Sequence, residues 1–151
     1  MDSEDNKRSV SLRWLYLLFG LLVLALLAWA SLRTLRETPN REASVELPGK
    51  GWVTIRFQTE PFPPLPSGTV MLTFMPVNSR GVMVDLGQSL PYSIGARGSE
   101  TPLQTGQALL DPSGMNYQAG VQFPVVGDYW LVLDLSSGKQ VRFQLYVEPA
   151  Q

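Results

Sequence analysis

The sequence of 151 residues contains no histidine and no cysteine. Their absence excludes Ser-His-Asp and Cys-His catalysis, zinc sites built on imidazole or thiolate, covalently attached haem and disulfide bonds. An excess of one charge is lacking too, since 12 basic residues stand against 13 acidic ones. Without a basic surface we expect no nucleic acid as a partner. With 44% apolar and 17% charged residues, the chain nevertheless predicts a folded domain.

Carboxylates remain as candidates for acid–base or calcium chemistry. The spacing of Asp85, Asp111, Asp128 and Asp134 fits no calcium loop, and no constellation of acid and base groups is recognisable. The glycines at 95–98 are not followed by a helix pattern, so no phosphate-binding loop is expected. We therefore expect no cofactor and no enzymatic activity.

One long uncharged run lies near the N-terminus. Residues 14–32 read WLYLLFGLLVLALLAWASL, 19 residues bordered by Arg13 and Arg33. A helix of that length covers about 28 Å, which matches the hydrocarbon core of a bilayer. Trp14, Tyr16 and Trp29 occupy the positions of interfacial aromatic belts, so they are the predicted membrane-anchor residues. The run predicts a single transmembrane helix that is retained.

A cleaved signal peptide is the alternative, because Ala28-Trp29-Ala30 before Ser31 suits signal peptidase. Orientation is not decided by charge: three basic residues precede the run (Lys7, Arg8, Arg13) and three follow it (Arg33, Arg36, Arg41). We place residues 1–13 in the cytoplasm by analogy with ordinary signal anchors. Residues 33–44 are polar and read as a tether, and residues 45–151 form the exported module.

The module alternates apolar and polar residues with period two, which is typical of strands. Its inward-facing residues are predicted to be Val53, Ile55, Phe57; Val70, Leu72, Phe74; Val82, Val84, Leu86; Tyr117, Ala119, Val121, Phe123; Tyr129, Leu131, Leu133, Leu135; and Val141, Phe143, Leu145, Val147. The last two runs flank Ser136–Lys139 and predict a hairpin. Short edge strands are expected around 92–94 and 107–110. About seven strands in this length predict an all-β immunoglobulin-like sandwich, with a small barrel as the alternative.

Tyr129, at the start of the penultimate strand, predicts a tyrosine corner, or else simply an inward aromatic residue. In a tyrosine corner the hydroxyl group bonds to nearby backbone while the ring packs in the core. Both readings assign Tyr129 a structural role.

Residues 114–147 resemble the C-terminal part of FixH-like and YtkA-like proteins. The residues that carry the resemblance are Tyr117, Ala119, Val121 and Phe123, then Gly127-Asp128-Tyr129, then Val141 to Val147. The resemblance implies a bacterial inner-membrane accessory protein associated with the assembly or copper supply of respiratory oxidases. The chain differs from copper-handling patterns in lacking histidine and cysteine.

Met71, Met75 and Met83 are the candidate site residues of the module. The alternation turns all three away from the core, and thioethers that converged could bind Cu(I). The other reading is an adaptable apolar contact surface, to which Trp130 would contribute. We therefore expect a non-catalytic accessory module that binds an integral membrane complex, respiratory or transport, at the outer face of the bacterial cytoplasmic membrane. A periplasmic Cu(I)-binding protein is the alternative.

Overall fold

The computed structural model describes residues 5–34, 40–135 and 137–150, with helix side chains described from Trp14 to Ala30. The chain divides into two compact units, 1–38 and 39–151. The first contains helix α1, Asp5–Thr34. All its described side chains are exposed, Trp14, Tyr16 and Trp29 among them. Within the described residues, no helix is both long enough and apolar enough to cross a membrane.

The second unit consists of antiparallel strands. Their bounds are β1 Glu42–Leu47, β2 Gly51–Glu60, β3 Val70–Asn78, β4 Ser89–Ala96, β5 Gln104–Leu110, β6 Tyr117–Val121, β7 Gly127–Asp134 and β8 Gln140–Val147. They pair in the order β1-β2-β3-β6-β5-β4-β7-β8. The all-β prediction is therefore confirmed.

The sheet consists of two halves, β1-β2-β3-β6 and β5-β4-β7-β8, which two narrow connections join. On one side β5 and β6 pair only at Leu109–Gln118 and Leu110–Tyr117. On the other side β1 lies against β8, and the Asn40 side chain donates to the Arg142 carbonyl (3.1 Å) and accepts from the Gln144 N–H (2.7 Å). The result is a sandwich of β1-β2-β3-β6 and β5-β4-β7-β8 that is almost closed into a barrel. It is consistent with the immunoglobulin-like prediction and lies between the two architectures that the sequence left open.

The core is filled from both layers by the inward residues of the period-two pattern. Phe57, Phe74 and Phe143 meet at its centre, with ring centroids 5.1–6.2 Å apart. The residues of the predicted hairpin, Leu131, Leu133, Phe143 and Leu145, are all buried, as expected.

Two buried tyrosines bond to backbone as well as packing in the core. Tyr129 donates its hydroxyl hydrogen to the Val125 carbonyl at 2.7 Å, which confirms the predicted tyrosine corner. Tyr117 donates to the Gly87 carbonyl (2.7 Å) and accepts from the Leu86 N–H (3.0 Å), fixing the connection between β3 and β4. Burial raises the pKa of the Tyr117 hydroxyl group.

The predicted strand over Val82, Val84 and Leu86 is wrong. Only Met83 forms a bridge, with Val77, and Val82 is exposed. The Asn78 side chain accepts from the N–H groups of Arg80 and Val82, and Gly81 takes a positive φ of 76°. This tight turn brings 82–84 alongside the end of β3, after which the chain crosses to the other layer.

One boundary and one edge-strand assignment also differ from expectation. The predicted tether of 33–44 overlaps β1, which begins at Glu42 because Glu42 and Ala43 already pair with Arg56 and Ile55 of β2. The strands expected near 92–94 and 107–110 exist as β4 and β5. They are not edge strands, since β4 lies between β5 and β7, and β5 between β4 and β6.

Candidate functional site

The outer face of β2 and β3 carries two of the three candidate methionines, Met71 and Met75. The register places Met71 opposite Glu60, Met75 opposite Arg56 and Val77 opposite Thr54. Residues directly opposite each other on one face have Cβ atoms about 4.5–5.5 Å apart, so these pairs are in contact range. An apolar strip therefore runs along β3 beside the polar side chains of β2.

Met83 extends the strip sideways. As the bridge partner of Val77 it lies on the same side of the sheet, diagonal to Met75. It is half-buried and packs against the margin of the core. Met75 is half-buried as well, whereas Met71 is 38% exposed.

The three thioethers do not meet at one point. Met71 and Met75 are four residues apart on β3, which at strand spacing is about 13 Å, and Thr73 lies between them. Only Met75 and Met83 are neighbours. The arrangement is a line of apolar side chains, whereas a Cu(I) site of three sulfurs requires one centre.

Trp52 belongs to the same face and was missed by the sequence analysis. It is the largest exposed side chain there, at 62%, and lies opposite Glu46 at the start of β2. Its position was available as a signal, because the alternation that buries Val53, Ile55 and Phe57 turns Trp52 outward together with Thr54 and Arg56. We call Trp52, Met71, Met75, Val77 and Met83 the β2–β3 face.

Charges border this face. Arg56 Nε lies 3.2 Å from a Glu42 carboxylate oxygen, so the cation beside Met75 is paired across β1 and β2. Glu60 lies beside Met71 and Glu46 beside Trp52. An apolar strip with a polar rim is the composition of protein–protein contact surfaces.

Trp130 is not part of an exposed surface, contrary to expectation. It points to the outer side of the other layer, as the alternation requires, but is only 8% exposed. The indole ring occupies the space beside Gly95 Cα, its N–H donates to the Ser99 carbonyl at 2.8 Å, and the Arg142 guanidinium lies 5.4 Å from the ring centre. Trp130 therefore holds β4, β7 and β8 together.

No protein-family model matches this chain, and no curated protein does.

The acidic residues remain dispersed in the part of the chain that the structure describes, where no three of them gather as a metal site would require. Asp128 pairs with Arg97 at 3.4 Å, and Asp134 accepts from the Gln140 side chain. Asp111 closes its own turn, since Ser113 Oγ donates to its carboxylate at 2.7 Å and the Met115 N–H at 3.2 Å. The Ser113 hydroxyl, followed by backbone N–H groups, lowers the pKa of Asp111.

Proposed function

We propose that this protein is a membrane-anchored, non-catalytic interaction module. Its β-sandwich is held at the outer face of a bacterial cytoplasmic membrane and binds an integral membrane complex, respiratory or transport, as an accessory or assembly subunit. The observation that carries the proposal is the combination of a helix whose described side chains, at residues 14–30, are exposed and mostly apolar with a separate β unit that presents the β2–β3 face.

The anchor is argued from residues 14–32. Large apolar side chains along α1 are exposed, among them Leu15, Leu18 and Leu24 at 66–67%. A row of such side chains in water costs free energy in proportion to its area, and lipid removes that cost. In the sequence, the 19 uncharged residues have aromatic residues near both ends, which is the arrangement of interfacial aromatic belts.

Partner binding is argued from the β2–β3 face. Trp52 and Met71 offer an aromatic anchor and an adaptable thioether, the kinds of side chain that dominate contact surfaces. An anchor also confines the module to the membrane, which raises its effective concentration near integral partners. A modest interface then suffices for stable association.

A non-catalytic role is supported by the chemistry of the side chains. The chain has no imidazole or thiol, and Asp111, Asp128 and Asp134 are each engaged in a separate turn or pair. The resemblance of residues 114–147 to FixH-like and YtkA-like proteins favours the same role, since it implies an accessory protein of the inner membrane.

The test is co-purification from the membranes of the native host, with full-length tagged variants. Trp52→Lys and Met71→Lys place a cation opposite Glu46 and Glu60, so both should fold and yet lose the membrane complex that wild type retains. Leu109→Lys is the matched control, because Leu109 is 60% exposed on the outer side of β5 in the other layer. Retention by the β2–β3 variants would contradict the proposed face.

A second variant separates sulfur chemistry from apolar contact. Replacing Met71, Met75 and Met83 together by Leu keeps the apolar bulk and removes the thioethers, so we expect co-purification at the wild-type level. Binding of one Cu(I) per wild-type chain that is lost in this variant would establish the copper alternative instead.

A further inference from the structure

The two ends of the β-sandwich differ, and the chain enters at one of them. Asn40 and Arg41 precede β1, and the strand directions place the loops 61–69, 97–103 and 122–126 at that same end. Contacts confirm the grouping: the Arg41 guanidinium lies 4.0 Å from the centre of the Phe62 ring, and the Glu148 N–H donates to the Pro64 carbonyl at 3.0 Å. We call these three loops with Asn40 and Arg41 the tether end.

Each loop of the tether end exposes large apolar side chains. Phe62 is 65% exposed, Leu103 57%, Val125 62% and Val126 41%. The Phe62 ring carries the Arg41 guanidinium on its face, so the cation and the aromatic ring project together. Arg97, the other cation here, is paired with Asp128, and Glu100 is exposed. The end is thus apolar at its tips without an excess of positive charge.

The opposite end has a different composition. Among the described residues, its loops expose two large apolar side chains, Val82 and Met115, and Trp52 is exposed nearby at the start of β2. This end also carries exposed charges: Lys50, Arg80, Asp85 and Lys139. Within the described residues, every loop of the tether end exposes a large apolar side chain, whereas segments 48–50 and 137–139 of the opposite end expose none.

We propose that the tether end docks on the surface of the lipid bilayer, with Phe62, Leu103, Val125 and Val126 in the headgroup region. The proposal rests on the proposed membrane anchor. Residues 33–39 reach at most about 25 Å even when extended, so an anchor at 14–32 keeps the tether end close to lipid at all times. Exposed aromatic and aliphatic tips bind an interface by burying apolar area, and arginine stems extend to the headgroups.

Docking in this way gives the β2–β3 face a direction. The ends of the strands at the tether end would contact the membrane. The outer face of β2 and β3 would then face sideways, along the membrane surface. An integral partner with an exported segment would meet Trp52 and Met71 there. Because apolar burial dominates and the end lacks net positive charge, the docking should persist in zwitterionic lipid and at high salt.

The experiment uses the full chain in phosphatidylcholine vesicles. The absence of native cysteine lets a single cysteine carry a bimane label at any chosen position. Labels at Leu22 in α1, Val125 at the tether end and Met115 at the opposite end are quenched by nitroxide groups on the lipids, placed deep on the acyl chain or at the headgroup.

We expect deep quenching at Leu22, headgroup quenching at Val125 and none at Met115. Substituting Phe62 and Leu103 together by Ser should remove most of the quenching at Val125 and leave Leu22 unchanged. Quenching at Leu22 alone would overturn the docking while the anchor stands. No quenching at Leu22 would overturn the proposed anchor itself, and equal quenching at Val125 and Met115 would show that no end is preferred.

Discussion

At the scale of single residues, Gly95 determines where Trp130 can lie. A Cβ atom built on Gly95 would be 2.1 Å from Trp130 Cζ2, far inside van der Waals contact. Glycine is therefore required at this position of β4 for the indole ring to occupy this site and for its N–H to reach the Ser99 carbonyl.

Gly95→Ala should expel the ring and lower the free energy of unfolding by about 1–3 kcal/mol, the usual cost of overpacking. Denaturant unfolding of the full chain in detergent, followed by circular dichroism, measures it. Gly120→Ala is the control, since its Cβ would meet only Thr69 Cγ2, at 3.1 Å. Equal losses at the two glycines would contradict the role of the ring.

Asp111 gives a residue-scale prediction about pH. Hydrogen bonds from Ser113 and from backbone N–H groups lower its pKa in the folded state below 3.8. A lowered pKa stabilises the fold above the unfolded value, and that contribution is lost as the pH falls through the folded value. Asp111→Ala should thus be less stable than wild type at neutral pH, and the gap should close in strong acid. Thermal unfolding across pH measures it, and a gap that widens in acid would contradict the assignment.

At the scale of elements, the hairpin of β7 and β8 supplies much of the core. Leu133 lies opposite Val141 and is fully buried, whereas Asp134 turns to the other side and reaches Gln140. Leu133→Ala should destabilise the module by about 2–5 kcal/mol, and Asp134→Ala should stay within about 0.5 kcal/mol. Denaturant unfolding of both variants distinguishes them. Similar losses would mean that the strand faces are exchanged.

Strands such as β7 and β8 could be predicted because one side of each is buried and the other faces solvent. Apolar and polar residues therefore alternate in the sequence with period two. The period misleads where an alternating segment forms no ladder with a neighbouring strand. Val82, Val84 and Leu86 alternate correctly, yet a turn built by Asn78 leaves them only a bridge to β3. The opposite error occurs at β1, where Glu42 and Glu46 mask a strand that is held by its register with β2.

For the candidate site, the sequence predicts only which side of its strand each residue faces. Periodicity alone places Met71 and Met75 on one outer side of β3. That Met83 joins them depends on a bridge to Val77, which local sequence does not specify. Periodicity also turns Trp130 outward correctly. Its burial depends on Gly95, 35 positions earlier in the chain but opposite it in the register, so no local pattern could reveal it.

At the scale of the whole molecule, the chain consists of two units that differ in how much of their apolar surface is buried. The β unit has a buried apolar core of its own, whereas the described side chains of α1 are all exposed. The closure of the sheet depends on pairings between distant segments, such as β3 with β6 and β4 with β7. Sequence periodicity predicts strands but leaves their partners open, which is why sandwich and barrel could not be separated.

The mature protein should retain residues 14–32. The uncharged run is longer than the usual h-region of about 7–15 residues, and its aromatic ends suit a bilayer. Mass spectrometry of the protein isolated from its host should give an N-terminus upstream of Trp14. A mature chain that starts at Ser31 would show cleavage after Ala30.

The double hydrogen bond of Asn40 has a mechanical consequence. Asn40 is the first described residue of the β unit and links the start of β1 to the backbone of β8, in the other half of the sheet. A pull on the chain from its N-terminal side therefore loads β8 before β1 can peel from β2. The strain is shared by both layers at the point where force enters, and the edge strand that would otherwise unzip first is reinforced there.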